Sequence, residues 1–168
     1  PILPTLVMPV ARLYMRKMVG HLVLDAESDA LNKILDKATE SGEQLNLNLL
    51  GEAVLGEEEA KSRAQRTLKL IQNPRVTYVS VKASSMVAQL NHWDIDGSTE
   101  RLKDRLRPLY RQALNRNPHP FINMDMEEYK DLELTLKLFT ELLGEEEFLE
   151  LEAGIVLQAY LPDTLGAL

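Results

Sequence analysis

Two short runs decide the fold of this chain: VTYVSVK at residues 76–82 and FINMDM at residues 121–126. The first is rich in β-branched residues and the second alternates apolar and polar residues, as β-strands do. Between them, residues 98–114 repeat apolar residues at helical spacing and end shortly before an Asn-Pro pair at 117–118. A strand, a helix and a second strand in this order predict a right-handed βαβ unit with parallel strands.

The same alternation continues in both directions along the chain. Residues 45–50 and 154–161 are predicted as two further strands, and residues 57–72 and 127–143 as two further helices. Strands that alternate with helices indicate an α/β protein with a parallel sheet. The sequence has neither the G-x-G-x-x-G nor the Walker glycine pattern, and its strands end in polar residues. These features favour a (β/α)8 barrel of the TIM type over an open nucleotide-binding sheet.

The chain divides into a helical segment, residues 1–42, and a barrel segment, residues 43–168. Residues 1–24 are apolar but carry Arg12, Arg16 and Lys17 at helical spacing, which predicts an amphipathic helix that caps a core or contacts a membrane surface. Residues 29–40 predict a second helix. The barrel segment holds about four βα units, half of a closed barrel. We therefore expect the chain to be the first half of the barrel of a longer protein.

Composition excludes several classes of function. With 168 residues, 45% of them hydrophobic, the chain suits a globular domain, and a net charge of -7 offers no basic surface for nucleic acid. The absence of cysteine fits a reducing, cytoplasmic compartment. The three histidines, at positions 21, 92 and 119, lie in separate segments without the spacing of metal ligands, so no metal site is predicted.

Strand parity predicts which side chains converge. Alternate residues of a strand point to opposite faces, and each predicted strand has one apolar and one mixed face. The apolar faces should meet the surrounding helices, so the mixed faces should line the barrel. Four polar residues then lie at the carboxyl ends of the strands, where barrel enzymes hold their chemistry: Glu52, Lys82, Asp125 and Gln158. Because buried charges need partners, Lys82 is expected to pair with Asp125 or Glu52.

The residues around these positions resemble the motifs of the proline dehydrogenase family. The family includes monofunctional proline dehydrogenases and the catalytic barrel of the bifunctional proline utilisation A flavoproteins. The motifs occur in the family's order and spacing, and MVGHLV at 18–23 is similar to the region that precedes the family's barrel. They are LGEA at 50–53, VSVKAS at 79–84, INMDMEE at 122–128 and VLQAY at 156–160.

This resemblance implies an FAD enzyme that oxidises L-proline to Δ1-pyrroline-5-carboxylate by hydride transfer to flavin N5. It implies that Lys82 and Asp125 line the substrate site, and that Glu52 pairs with an arginine of the family's final helix. It also implies flavin contacts at Asp125, Met126, Val156 and Gln158. The later strands and the final helix, which complete the flavin and carboxylate sites in the family, have no counterpart in these 168 residues. The chain alone is therefore expected to bind FAD poorly and to be inactive.

The resemblance further implies a membrane quinone as electron acceptor, with peripheral contact at the inner membrane face, and it is compatible with a fused aldehyde dehydrogenase domain. The residues alone leave two other interpretations open. One is a barrel lyase in which Lys82 forms a Schiff base. The other is a non-enzymatic half barrel that assembles through its two open sheet edges.

Overall fold

Helices and strands alternate from residue 29 onward in the computed structural model, which describes residues 3–19, 23, 29–49 and 54–167. The helices are α1 (Leu3–Val19), α2 (Asp29–Glu40), α3 (Glu57–Gln72), α4 (Ile95–Leu114), α5 (Leu132–Leu143) and α6 (Thr164–Ala167). The strands are β1 (Leu47–Asn48), β2 (Tyr78–Lys82), β3 (Phe121–Asp125) and β4 (Ala153–Ile155). Single 3₁₀ turns occur at Ala83–Ser85, Tyr129–Asp131 and Glu146–Phe148.

Within the described residues, four strands form one parallel sheet in the order β1-β2-β3-β4. Neighbours along the chain are thus neighbours in the sheet, as right-handed βαβ units require. In the register of the sheet, Val79 lies beside Ile122 and Lys82 lies beside Asp125. The predicted parallel α/β topology is confirmed.

The predicted division between the two faces of the sheet is also confirmed. Val79, Val81, Ile122 and Met124 are almost completely buried in one apolar cluster with residues of α3, α4 and α5. This cluster includes Leu106 of α4 and Leu138 of α5, neither of which has exposed surface. The helices therefore cover the apolar face, which leaves the mixed face free to line a barrel.

Several predicted elements differ from the structure at their ends, and the last strand and the helix before it differ most. The strand predicted at 154–161 is only Ala153–Ile155, because the Gln158 carbonyl accepts hydrogen bonds from the Leu161 N–H at 3.0 Å and from the Thr164 hydroxyl at 2.8 Å. These bonds turn the chain away from the sheet. The helix predicted from residue 127 begins at Leu132, after the 3₁₀ turn at Tyr129–Asp131. In the part of the chain that the structure describes, no helix is long and apolar enough to cross a membrane.

Ion pairs fasten α4 to α5 and to the 3₁₀ turn that follows it. The Arg107 guanidinium donates to both carboxylate oxygens of Glu145, at 2.7 Å from Nη2 to Oε1 and 2.9 Å from Nε to Oε2. This bidentate contact holds the pKa of Glu145 below its usual value. Arg111 makes the same kind of contact with Glu147, at 2.7 Å for both bonds. The two pairs differ in exposure: the side chains of Arg107 and Glu145 are each 22% exposed, whereas those of Arg111 and Glu147 are about half exposed.

We expect Arg107→Met to lower the free energy of unfolding by about 1 kcal/mol, because it leaves the partly buried Glu145 carboxylate with only the more distant Lys103 ammonium, 3.6 Å away. The melting temperature of the domain should fall by about 2–4 °C per kcal/mol. Arg111→Met is the matched control and should leave the melting temperature nearly unchanged, since its pair is more exposed. Thermal melting of the full-length protein measures the two variants. Equal shifts in melting temperature would contradict the predicted difference between the less exposed and the more exposed ion pair.

Candidate active site

Lys82 and Asp125 lie side by side at the carboxyl ends of β2 and β3, on the face that the helices leave uncovered. Their charged groups nevertheless have different partners. The Lys82 ammonium nitrogen lies 2.5 Å from Glu127 Oε1, and the Lys82 side chain is only 13% exposed. The expected pair of Lys82 with Asp125 is therefore corrected to Lys82 with Glu127. Glu52, the other partner considered, lies outside the described residues.

The carboxylate of Asp125 is held by neutral amides. Asn48 Nδ2 donates to Oδ2 at 3.0 Å, and Asn123 Nδ2 donates to Oδ1 at 2.8 Å. Burial raises the pKa of Asp125, against the opposing effects of Ser80, Asn123 and the positive charge of Lys82. An amide donor fixes the direction of a carboxylate without neutralising it, so Asp125 combines a defined position with increased basicity.

Further polar contacts continue down the same face, away from the strand ends. Asn46 Nδ2 donates to the Ser80 hydroxyl at 2.9 Å, so β1 and β2 are joined beneath the charged layer. Below this, the rings of Tyr78 and Phe121 pack edge to face with their centroids 5.0 Å apart. The inward face is therefore polar near the carboxyl ends of the strands and aromatic near their amino ends.

The predicted flavin contacts fall into two groups. Asp125 lies on the inward face of β3, whereas Val156 and Gln158 follow the end of β4, and Val156 is 40% exposed there. The Val156 N–H donates to the Met124 carbonyl at 2.9 Å, which fixes the backbone there against β3. Met126 is buried, so only its backbone is available to a ligand.

The loops after β2, β3 and β4 are tied to one another around these residues. Gln158 Nε2 donates to the Glu127 carbonyl at 2.8 Å, and Tyr129 Oη donates to Asp163 Oδ2 at 2.5 Å. His92 Nε2 lies 2.6 Å from Oδ1 of Asp131, whose side chain is 8% exposed. The loop after β2, which contains the exposed Trp93, is thereby joined to the loop after β3. Within the described residues, no cluster of three or more acidic, histidine or cysteine side chains is placed to hold a metal ion.

Parity could have identified the partners that the sequence interpretation missed. Asn48 and Asn123 belong to the mixed faces of β1 and β3, next to Asp125. Glu127 lies two residues after Asp125 and keeps the same parity as long as the chain stays extended. The helix predicted from residue 127 hides this parity, so the contact of Glu127 with Lys82 is a finding of the structure.

Parallel βα units with polar and charged residues at the carboxyl ends of their strands are typical of (β/α) barrel enzymes. The family model described as proline dehydrogenase matches residues 30–168. The chain belongs to the proline dehydrogenase family, and its parallel sheet is part of a TIM-type barrel. No curated protein matches the chain.

Solved structures of proline utilization A resemble the chain over most of its length. That from Corynebacterium freiburgense is 69% identical, with a TM-score of 0.87 over 92% of this chain. That from Bdellovibrio bacteriovorus, inactivated by N-propargylglycine, is 33% identical, with a TM-score of 0.73 over 82%. A mutant from Bradyrhizobium japonicum, 19% identical with a TM-score of 0.64 over 79%, shares the fold. The chain spans only 15% to 16% of the length of these proteins.

Proposed function

We propose that this chain is the first half of the barrel of an FAD-dependent proline dehydrogenase, which oxidises L-proline to Δ1-pyrroline-5-carboxylate. The observation that carries the proposal is the placement of Lys82 beside Asp125 at the carboxyl ends of neighbouring strands, in a chain of this family. We propose residues 1–42 as a helical segment that precedes the barrel segment 43–168.

The strand-end residues fit the ring end of a flavin. A largely buried ammonium, a carboxylate with a raised pKa and the exposed apolar side chain of Val156 stand on one face. A flavin ring needs polar groups at its edge and an apolar surface against its plane. We propose that Asp125, Val156, Gln158 and the backbone of Met126 hold the ring. When bound, FAD supplies the acceptor for the hydride that proline loses.

Lys82 and Asp125 have complementary roles in the proposed reaction. The Lys82 ammonium, on a side chain that is only 13% exposed, supplies positive charge that stabilises the negative carboxylate of the bound proline. The negative Asp125 carboxylate stabilises the positive charge that develops on the proline nitrogen as the ring is oxidised. We propose that Glu52 completes the site through an ion pair with an arginine of the longer protein.

The remaining elements of the proposal concern the longer protein. We propose that it is cytoplasmic, passes its electrons to a membrane quinone through peripheral contact with the inner membrane face, and has room in its length for a fused aldehyde dehydrogenase domain. We also propose that these 168 residues alone bind FAD weakly and do not oxidise proline. The chain spans only 16% of the length of the matched proteins, which supports the proposals of a further domain and of an incomplete flavin site.

The visible absorption spectrum of the full-length protein, recorded without oxygen before and after L-proline, tests the proposal. Flavin bands that bleach with proline are the expected result. A colourless protein that takes up no added FAD would overturn it. The lyase with a Schiff base at Lys82 would then be tested by borohydride trapping with a carbonyl substrate. A mass that rises with concentration, without flavin, would favour the assembly fragment.

The pH dependence of flavin reduction should report on Asp125. Below its pKa, Asp125 is protonated and neutral and no longer stabilises the positive charge on the proline nitrogen. The rate should therefore fall as the pH is lowered through that pKa, and the midpoint should lie above the usual range for aspartate because burial raises the pKa. Asp125→Asn should slow the reaction and remove this acid limb. An unchanged limb in Asp125→Asn would assign it to another group.

A further inference from the structure

Glu127 contacts both neighbours of the strand that precedes it. Its carboxylate accepts from the ammonium of Lys82, the last residue of β2, and its backbone carbonyl accepts from the Gln158 amide after β4. The second bond anchors the Glu127 backbone at a distance of 2.8 Å from the Gln158 nitrogen. The carboxylate is therefore presented to Lys82 from a fixed position.

Lys82 has another carboxylate beside it, and the structure shows why that group is not its partner. The two oxygens of Asp125 accept from Asn48 and Asn123, which direct the carboxylate along its own strand and toward β1. The long lysine side chain has many rotamers. Without a partner, the Lys82 ammonium would therefore have no single preferred position. The direction of the Lys82 ammonium in the structure is set by Glu127.

The exposure of the Lys82–Glu127 ion pair indicates that it positions the Lys82 ammonium more than it stabilises the fold. The Glu127 side chain is 44% exposed, while that of Lys82 is 13% exposed. Because Glu127 is half exposed, water reaches the pair and can also reach the Lys82 ammonium when the glutamate charge is lost, so the pair contributes at most about 1 kcal/mol to folding. Loss of the Glu127 charge should therefore leave the fold intact and change only where the Lys82 charge lies.

We propose that Glu127 is a positioning residue, which acts on the reaction by holding the Lys82 ammonium in place. The inference rests on the proposed proline oxidation and adds to it a residue outside the predicted site. A misplaced charge loses much of its effect on a transition state, since small displacements at a reacting centre have large effects on rate.

The test uses the full-length protein with bound FAD and measures the rate of flavin reduction by L-proline without oxygen. Glu127→Gln should slow the reduction by about tenfold, since it keeps the shape of the side chain but loses its charge. Glu127→Asp keeps the charge on a shorter side chain. Its rate of flavin reduction should lie between those of the wild type and Glu127→Gln. Glu128→Gln is the matched control, because Glu128 follows in the same loop and pairs only with Lys130, at 2.8 Å, among the described contacts. It should stay within about twofold of the wild type.

A double-mutant cycle shows whether Glu127 acts through Lys82. In a Lys82→Met background, Glu127→Gln should change the reduction rate by less than about twofold, because the charge it positions is absent. Equal effects in both backgrounds would overturn the proposal. Loss of FAD or a lower melting temperature in both Glu127→Gln and Glu127→Asp would also overturn it, since the role would then be structural. A wild-type flavin that proline does not reduce would overturn the proposed function and this inference together, whereas a wild-type rate in Glu127→Gln would overturn the inference alone.

Discussion

Lys82→Met is expected to slow the reduction of the flavin by proline by about 10²–10³-fold, the usual cost of removing one preorganised charge from a site with little water. Methionine keeps most of the length and the apolar stem of lysine, so the packing around β2 should persist. The measurement is the single-turnover rate of flavin bleaching in the full-length protein. The FAD content and the melting temperature should stay close to those of the wild type.

Lys130→Met provides the control for this substitution. Lys130 also lies near the strand ends and also pairs with a glutamate, but its side chain is 57% exposed. Its removal should leave the rate within about twofold of the wild type. A similar loss of rate in both variants would mean that the effect reflects overall charge. A Lys82→Met rate close to that of the wild type would place the essential cation elsewhere in the protein.

The arrangement of the fold follows from periodicity that can be read directly in the sequence. Residues 29–40 and 57–72 were predicted as helices with the bounds they have in the structure, because apolar residues at helical spacing end at Gly42 and before Asn73-Pro74. The two faces of β2 and β3 followed from alternation alone. The length of β4 did not, because the turn that ends it depends on a hydrogen bond between the Thr164 hydroxyl and the Gln158 carbonyl.

The candidate site was predictable in its location but not in its pairing. Parity and the carboxyl-end rule placed Lys82 and Asp125 together, as the register of β2 and β3 shows. The partner of Lys82 depends on which donors already occupy the Asp125 oxygens. These donors are the Asn48 and Asn123 side chains, and sequence alone does not show that they bond to Asp125. The helix predicted over residues 127–143 conceals the contact of Glu127 with Lys82, whereas the structure has a 3₁₀ turn at Tyr129–Asp131 and begins α5 only at Leu132.

Gly154 is the position where a larger side chain should disturb both the fold and the site. It pairs in register with Asn123 on the inward face of the sheet. A Cβ atom at Gly154 would lie 2.7 Å from Cζ of Phe121 and 3.0 Å from Oδ1 of Asn123. The Phe121 ring is held against Tyr78, and Asn123 donates to Asp125, so neither neighbour can move without loss of a contact.

Gly154→Val is therefore expected to destabilise the domain by about 1–3 kcal/mol, the usual range for an overpacked interior. The melting temperature of the full-length protein should fall by about 2–4 °C per kcal/mol. Gly56→Ser is the control, because a Cβ at Gly56 meets no atom within 4 Å, its backbone is extended, and serine is at least as favourable as glycine at the N-cap of α3. Its melting temperature should hardly change.

The same substitution should also affect the reaction, because displacement of Asn123 removes a donor that holds Asp125 in place. That hydrogen bond lowers the pKa of Asp125, so its loss should move the acid limb of flavin reduction to higher pH. Gly154→Ala should show smaller changes of the same sign in both measurements. A Gly154→Val protein with a lower melting temperature but an unchanged acid limb would show that Phe121 alone absorbs the added side chain, and that Asn123 remains bonded to Asp125.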